Sequence, residues 1–256
     1  MFGFKRRRRQ RLRERPFPPE WLAVIARNVP YYRALRADEQ QELRGHVHVF
    51  LAEKRFEGCG GLVITDEVRV TIAAHACRLL LHRPTDYFPK TSTILVYPSH
   101  YLVEAAQRLP GGLVIEGPTV RGGESWYRGP VVLSWEDVQR LARGATYGRN
   151  VVLHEFAHQL DSESGALEGA PALPKRSMYA AWERVCRREY EQLVDAAKQG
   201  RPSFLDYYGA TNPAEFFAVV TEAFFEQSAA LRGRHPDLYE QLALYYQQDP
   251  AARAGP

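Results

Sequence analysis

The chain has 256 residues, 45% apolar and 25% charged, the make-up of an ordinary globular protein with room for one large domain or a catalytic domain plus a smaller helical one. It contains no apolar run of roughly 18 residues, which excludes a transmembrane helix, and its basic N-terminus lacks the apolar stretch of a secretory signal. The net charge of +4 sits in residues 5–15, where eight basic residues face Glu14 alone; the remainder is about three negative, so its body is not a basic nucleic-acid-binding surface.

In chain order, residues 1–15 are expected to be a disordered basic arm, closed off by Pro16, Pro18 and Pro19. Residues 16–84 read as an N-terminal helical region. Amphipathic spacing predicts helices over 20–35, 38–56 (with Asp38 as cap) and 66–82. Past Pro84 the character changes to short β-like runs over 93–97, 113–116 and 130–133, separated by Gly- and Pro-rich turns. Ser134 then caps a helix over 135–143, Arg149 opens the next, and further helices are expected over 177–198, 213–227 and 237–247. Residues 85–248 would form a catalytic domain, and 249–256 a flexible tail. The fold class is therefore α+β, mainly helical with a small sheet. The three cysteines, Cys59, Cys77 and Cys186, are odd in number and widely spaced, which suits a reducing cytoplasm and offers no cysteine-based metal site.

The helix that opens near Arg149 carries the chemistry. Val151-Val152-Leu153-His154-Glu155-Phe156-Ala157-His158 places two histidines four residues apart on an otherwise apolar helix. Positions four apart lie on one face about one turn along, so both imidazoles reach a single ion, while Glu155 lies about 100° round, where it can serve as a base. The alternative is a pair of core histidines hydrogen-bonded to neighbours. A catalytic zinc takes a third protein ligand. Gln159 to Ala170 contains no histidine and only His235 follows, so a carboxylate from a second helix is expected. The segment Asn212-Pro213-Ala214-Glu215 opens such a helix, with Asn212 as N-cap and Pro213 in the first turn. Glu215 and Glu222, seven apart, share a face. Glu215 can also close a capping box, and Glu222 can instead hold a ligand histidine. The first turn is better placed at a cleft edge, which favours Glu215, and both stay open at this point. The strand before the motif helix, 131–133, has two readings: a cleft edge pairing with extended substrate, or an ordinary core strand. Asp161 either bonds a ligand imidazole or ends the helix.

His154-Glu155-Phe156-Ala157-His158-Gln159-Leu160-Asp161, followed by Tyr207-Tyr208-Gly209-Ala210-Thr211-Asn212-Pro213-Ala214-Glu215, resembles the MtfA family, the Mlc titration factor A proteins. Phe56-Glu57-Gly58, the stretch 72–81 and Gly129-Pro130-Val131-Val132-Leu133-Ser134-Trp135 look like that family too, so the likeness runs from about residue 16 to about 247. It implies a zincin-like, glutamate-completed zinc peptidase of aminopeptidase type, similar to the protease domain of anthrax lethal factor. By the resemblance, His154, His158 and Glu215 would hold Zn2+, Glu155 would be the base, and Tyr208, seven residues before Glu215, would stabilise the oxyanion. Tyr207 is its neighbour, so that choice rests on spacing. The resemblance also implies an Mlc-type transcriptional repressor as partner beside a peptide substrate. Neither direct DNA binding nor a membrane partner is expected. A protein that only sequesters a repressor is the alternative function.

Overall fold

The computed structural model describes residues 2–99, 101–104, 107–108, 114–115, 118–121, 123–125, 129–143, 148–165 and 168–253, with backbone alone at residue 2 and between 101 and 125. It is mainly helical, with one four-stranded sheet and two short two-stranded ladders among the described residues, as an α+β chain should be. Of the expected strand at 113–116, Val114–Ile115 is described and pairs with Gln107–Arg108; residues 113 and 116 lie outside the described residues.

The arm expected to be disordered is instead a helix, α1 (Phe2–Arg13). It packs on α3 (Ala37–Glu53) after α2 (Pro19–Asn28) has turned the chain back. Leu12 is buried, and the Arg9 guanidinium donates to both carboxylate oxygens of Glu53 at 2.8 and 2.9 Å and also pairs with Asp86. Gly45 permits the close approach, since a Cβ there would lie 3.2 Å from Arg13 Cβ. Composition alone hides this, because the partners that neutralise Arg9 come from far along the chain.

The expected 20–35 helix ends at Asn28, and a 3-10 turn, Pro30–Ala34, follows; Pro30 has no N–H with which to continue the helix. After α3 the chain forms β1 (Arg55–Gly58), whose first two residues were expected to end that helix. α4 (Asp66–Arg78), capped by the Thr65 hydroxyl, crosses over to β2 (Thr93–Tyr97), which pairs parallel with β1. Parallel neighbours require such a crossover. β3 (Gly123–Ser125) pairs antiparallel with β4 (Val131–Ser134), and β4 pairs parallel with β2, giving the order β1-β2-β4-β3. Phe56, Ile94 and Val131 are in register across the three parallel strands. The sheet draws its first strand from before residue 84 and the others from after it, and one apolar cluster joins both stretches. β4 is an interior strand, wholly buried, so of the two readings of the 131–133 segment the core strand holds, and the edge of the sheet on that side is β3.

Ser134 caps α5 (Trp135–Ala142) as expected, accepting from Asp137 N at 3.3 Å. The remainder is α6 (Val151–Ser162), α7 (Tyr179–Gln199), α8 (Pro213–Glu226), α9 (Ser228–Arg234) and α10 (Pro236–Tyr246). The tail expected to be flexible from 249 starts as a 3-10 turn, Pro250–Ala252, with Pro250 and Ala251 buried and Arg253 paired to Glu39. The apolar pair docks against the body, and the ion pair fastens it.

His75, on α4, is fully buried, and its Nδ1 faces the Asn150 side-chain amide at 3.3 Å. Burial drives its pKa down to about 4, against the pull of Glu226. The unfolded chain therefore binds this proton first, and stability present above the ordinary histidine value of about 6.5 is lost as pH falls toward 4. A shift of that size corresponds to about 3 kcal/mol. Urea midpoints of the parent and His75→Gln between pH 7 and 4 check this: the parent loses more stability over that window, and equal slopes would contradict it.

Candidate metal centre

α6 is built to face two ways. Asn150 caps it, its Oδ1 accepting from Leu153 N at 3.1 Å. Val152, Leu153, Phe156, Ala157 and Leu160 are buried, and the Phe156 ring meets Phe88 and Phe50 with centroids 4.7 and 5.5 Å away. That anchoring leaves His154 and His158 on the side toward α8, ring centroids 4.9 Å apart. α8 starts as its sequence predicts: Pro213 opens it and Asn212 Oδ1 accepts from Glu215 N at 2.9 Å.

The two helices bring the donor atoms together. Glu215 Oε2 lies 3.0 Å from His154 Nε2 and 3.3 Å from His158 Nε2. One ligand atom from each of His154, His158 and Glu215 falls within 4.8 Å of the others. Glu222 sits elsewhere, its Oε1 2.7 Å from His154 Nδ1 and its Oε2 accepting the backbone N–H of Asn150. Of the two glutamates that share a face of α8, Glu215 approaches both Nε2 atoms, and Glu222 approaches the far nitrogen of one ring. The described residues contain no other such group of histidine, cysteine and carboxylate side chains. Two imidazole nitrogens and one carboxylate are a donor set that zinc takes in catalytic sites.

The local electrostatics suit a dication. Burial opposes a charge on His154, but hydrogen bonds to Glu215 and Glu222 outweigh it and hold its pKa well above the ordinary value. Burial would raise Glu215, yet His154 and His158 pull its carboxyl down to about 2. Glu155 is fully buried and pushed up to about 7, chiefly by desolvation, and its Oε2 has no hydrogen-bond partner among the described residues. A buried carboxylate oxygen left without a donor is costly unless a charge or a bound molecule occupies the space beside it.

Tyr208 comes from the 3-10 turn Tyr207–Ala210, whose cap Asp206 accepts from Tyr208 N at 2.9 Å. Its ring centroid is 5.8 Å from that of His154. The Tyr207 hydroxyl instead donates to Arg201 O, so of the adjacent tyrosines it is Tyr208 that borders the histidines. Removing a hydroxyl there should cost little stability, since Tyr208 is more than half exposed.

Asp161 neither bonds an imidazole nor ends the helix: its Oδ2 accepts from Gly169 N at 2.9 Å. Gly169 has φ +71°, and a Cβ there would lie 2.3 Å from Pro213 O, at the first turn of α8. Gly169→Ala is expected to cost at least about 2 kcal/mol through left-handed strain plus the clash. The urea midpoint reports it, and an unchanged midpoint would contradict this packing.

Two contributors escaped the sequence reading. Asn150 is the cap of α6 and also joins it to Glu226 at 3.0 Å, which in turn pairs with Arg78 of α4 at 2.9 Å. An asparagine directly before the apolar run was the available signal. Arg149 pairs with Asp206, tying the start of α6 to the turn that carries Tyr208; no local pattern announces a contact of that span.

The family described as Glucose-regulated metallo-peptidase M90 matches residues 4–247. A protein of Synechocystis sp., named only as uncharacterized, is 43% identical over 244 residues, covering 95% of this chain and 89% of its own. The Mlc titration factor A of Serratia proteamaculans is 35% identical over 237 residues, 91% of this chain and 88% of that protein. That of Yersinia pestis is 33% identical over the same length, 91% of this chain and 86% of its own. With helices, sheet and an HExxH helix facing a second glutamate, and with likeness over nearly its whole length, the chain belongs to the M90 metallopeptidases, the family of the Mlc titration factor A proteins.

Proposed function

We propose that this protein is a zinc metallopeptidase of aminopeptidase type, with His154, His158 and Glu215 as ligands. The convergence of those three donors beside a buried Glu155 carboxylate oxygen that has no partner among the described residues carries the reading. Zinc held there would supply Lewis acidity and acidify a water. With zinc bound, Glu222 would accept the Nδ1–H of His154, which fixes the ring's orientation and would leave Nε2 to face the metal. Glu155 takes the proton of the attacking water and returns it to the leaving amine. The Tyr208 hydroxyl donates to the oxygen of the scissile carbonyl as it gains charge. Tyr208→Phe is expected to lower kcat about 10²-fold with metal affinity unchanged; hydrolysis of a chromogenic aminoacyl anilide reports it, and parent-like kcat would remove Tyr208 from the mechanism. Zinc content together with chelator-sensitive hydrolysis tests the reading as a whole.

A second reading rests on the relatives' name. Proteins called Mlc titration factor A are 33–35% identical to this chain, which supports binding of an Mlc-type repressor and so a role in transcription regulation. Capture of such a repressor by the Glu155→Gln protein as well as by the parent would make binding separable from hydrolysis. Cys59, Cys77 and Cys186 are all free thiols, which suits a cytoplasmic setting, and no helix among the described residues is long and apolar enough to cross a membrane.

A further inference from the structure

α1 is fastened along one side and bare along the other. Arg9 and Leu12 face the body, and Lys5 reaches Asp86 at 2.9 Å. At 100° per residue, Phe4, Arg7, Arg8 and Arg11 stand at positions i, i+3, i+4 and i+7 and fall within one arc of about 100°, which begins beside Leu12 and turns away from Arg9. All four are exposed, Phe4 by 80%. None of the three arginines has an ion pair or side-chain hydrogen bond among the described residues. Like charges this close repel one another, and the helix holds them together because Arg9 and Leu12 secure it from beneath. The rest of the chain is about three negative, so the positive surplus lies in residues 5–15, to which this face belongs.

We propose that this face of α1 docks the protein on an anionic lipid bilayer, with the guanidiniums of Arg7, Arg8 and Arg11 on headgroup phosphates and the Phe4 ring at the boundary between headgroups and acyl chains. A disordered arm would have to be ordered on binding; this helix is already formed, which removes that cost. Geometry favours a bilayer over nucleic acid. α1 packs on α3 through Leu12 and Arg9, so that flank is closed, and a flat surface needs only the exposed flank that remains. A helix entering a major groove about 12 Å wide is flanked by backbone on both sides, and here α3 occupies one of them. An exposed phenylalanine has no partner among phosphates, whereas an aromatic ring partitions well at the headgroup level.

The test uses the full chain in flotation with vesicles of phosphatidylcholine alone or with about one third phosphatidylglycerol. The parent should float with the anionic vesicles only, and less as salt rises. Neutralising three arginines (R7Q, R8Q and R11Q together) should weaken binding on the order of 10²-fold, about 5-fold for each. Phe4→Ser should weaken it several-fold. The corresponding triple lysine variant should keep most of the binding, which separates charge loss from damage to the helix. Because these side chains are exposed, circular dichroism should be unchanged. Equal flotation with neutral vesicles, or a triple glutamine variant that binds like the parent, would overturn the proposal. So would retention of a DNA duplex or an RNA at lower protein concentration than the vesicles in the same salt.

Discussion

Glu155→Gln is expected to lower peptide hydrolysis by about 10²–10⁴-fold, the usual worth of a general base, while leaving zinc affinity close to that of the parent. The amide keeps the shape of the carboxylate and cannot take a proton from water. Glu155 stands one residue after His154, about 100° round the helix from it, so the substitution leaves the three donor atoms where they are. The fold should not suffer. The Glu155 carboxyl is buried and its Oε2 has no donor among the described residues, so replacing it removes a costly buried charge. The measurement is kcat on a chromogenic peptide alongside zinc content and thermal midpoint. Full activity in Glu155→Gln would end the account of Glu155 as base. Loss of activity together with loss of zinc would assign it a structural part instead.

The two glutamates of α8 should separate cleanly in metal affinity. Glu215 Oε2 lies within 3.3 Å of both Nε2 atoms, so Glu215→Gln removes an anionic donor from the centre itself. Glu222 acts through His154 Nδ1 and the N–H of Asn150, so Glu222→Gln should cost the 10–100-fold typical of a group that orients a ligand. Glu215→Gln should cost clearly more. Competition against a chromophoric zinc chelator gives both numbers, and the reverse order would make Glu222 the ligand.

Much of this site was legible because it is local. Four-residue spacing puts His154 and His158 on one face, and Asn212-Pro213 announces where α8 begins, which fixes Glu215 in its first turn. The choice between Glu215 and Glu222 was not local. Seven residues make nearly two turns, so both point the same way, and only the height at which α8 crosses α6 decides which meets the Nε2 atoms. The tyrosine pair behaves similarly: spacing selected Tyr208, and what separates it from Tyr207 is the latter's hydrogen bond to Arg201 O.

The larger misreadings have one cause. α1 looked like a solvated arm because half of its residues are arginine, and the contacts that order it, Arg9 with Glu53 and Asp86, join residues 44 and 77 apart. β1 is only four residues long, too short for alternation to stand out against the helix before it. The strand expected over 130–133 was recognised with a cleft-edge and a core reading both open, because its interior place depends on pairing with β2 and β3, which no single segment encodes. The short α9 passed unnoticed for the same reason, since seven residues hold barely two turns.

The central claim is that His154, His158 and Glu215 hold one zinc ion with room left for water. Anomalous diffraction at the zinc edge, on crystals grown with zinc, tests it most directly. The account predicts a single strong peak about 2.0–2.2 Å from His154 Nε2, His158 Nε2 and a Glu215 oxygen, with no fourth protein ligand. A peak bound by Glu222 in place of Glu215, a centre closed by a fourth side chain, or no peak between α6 and α8 would contradict it.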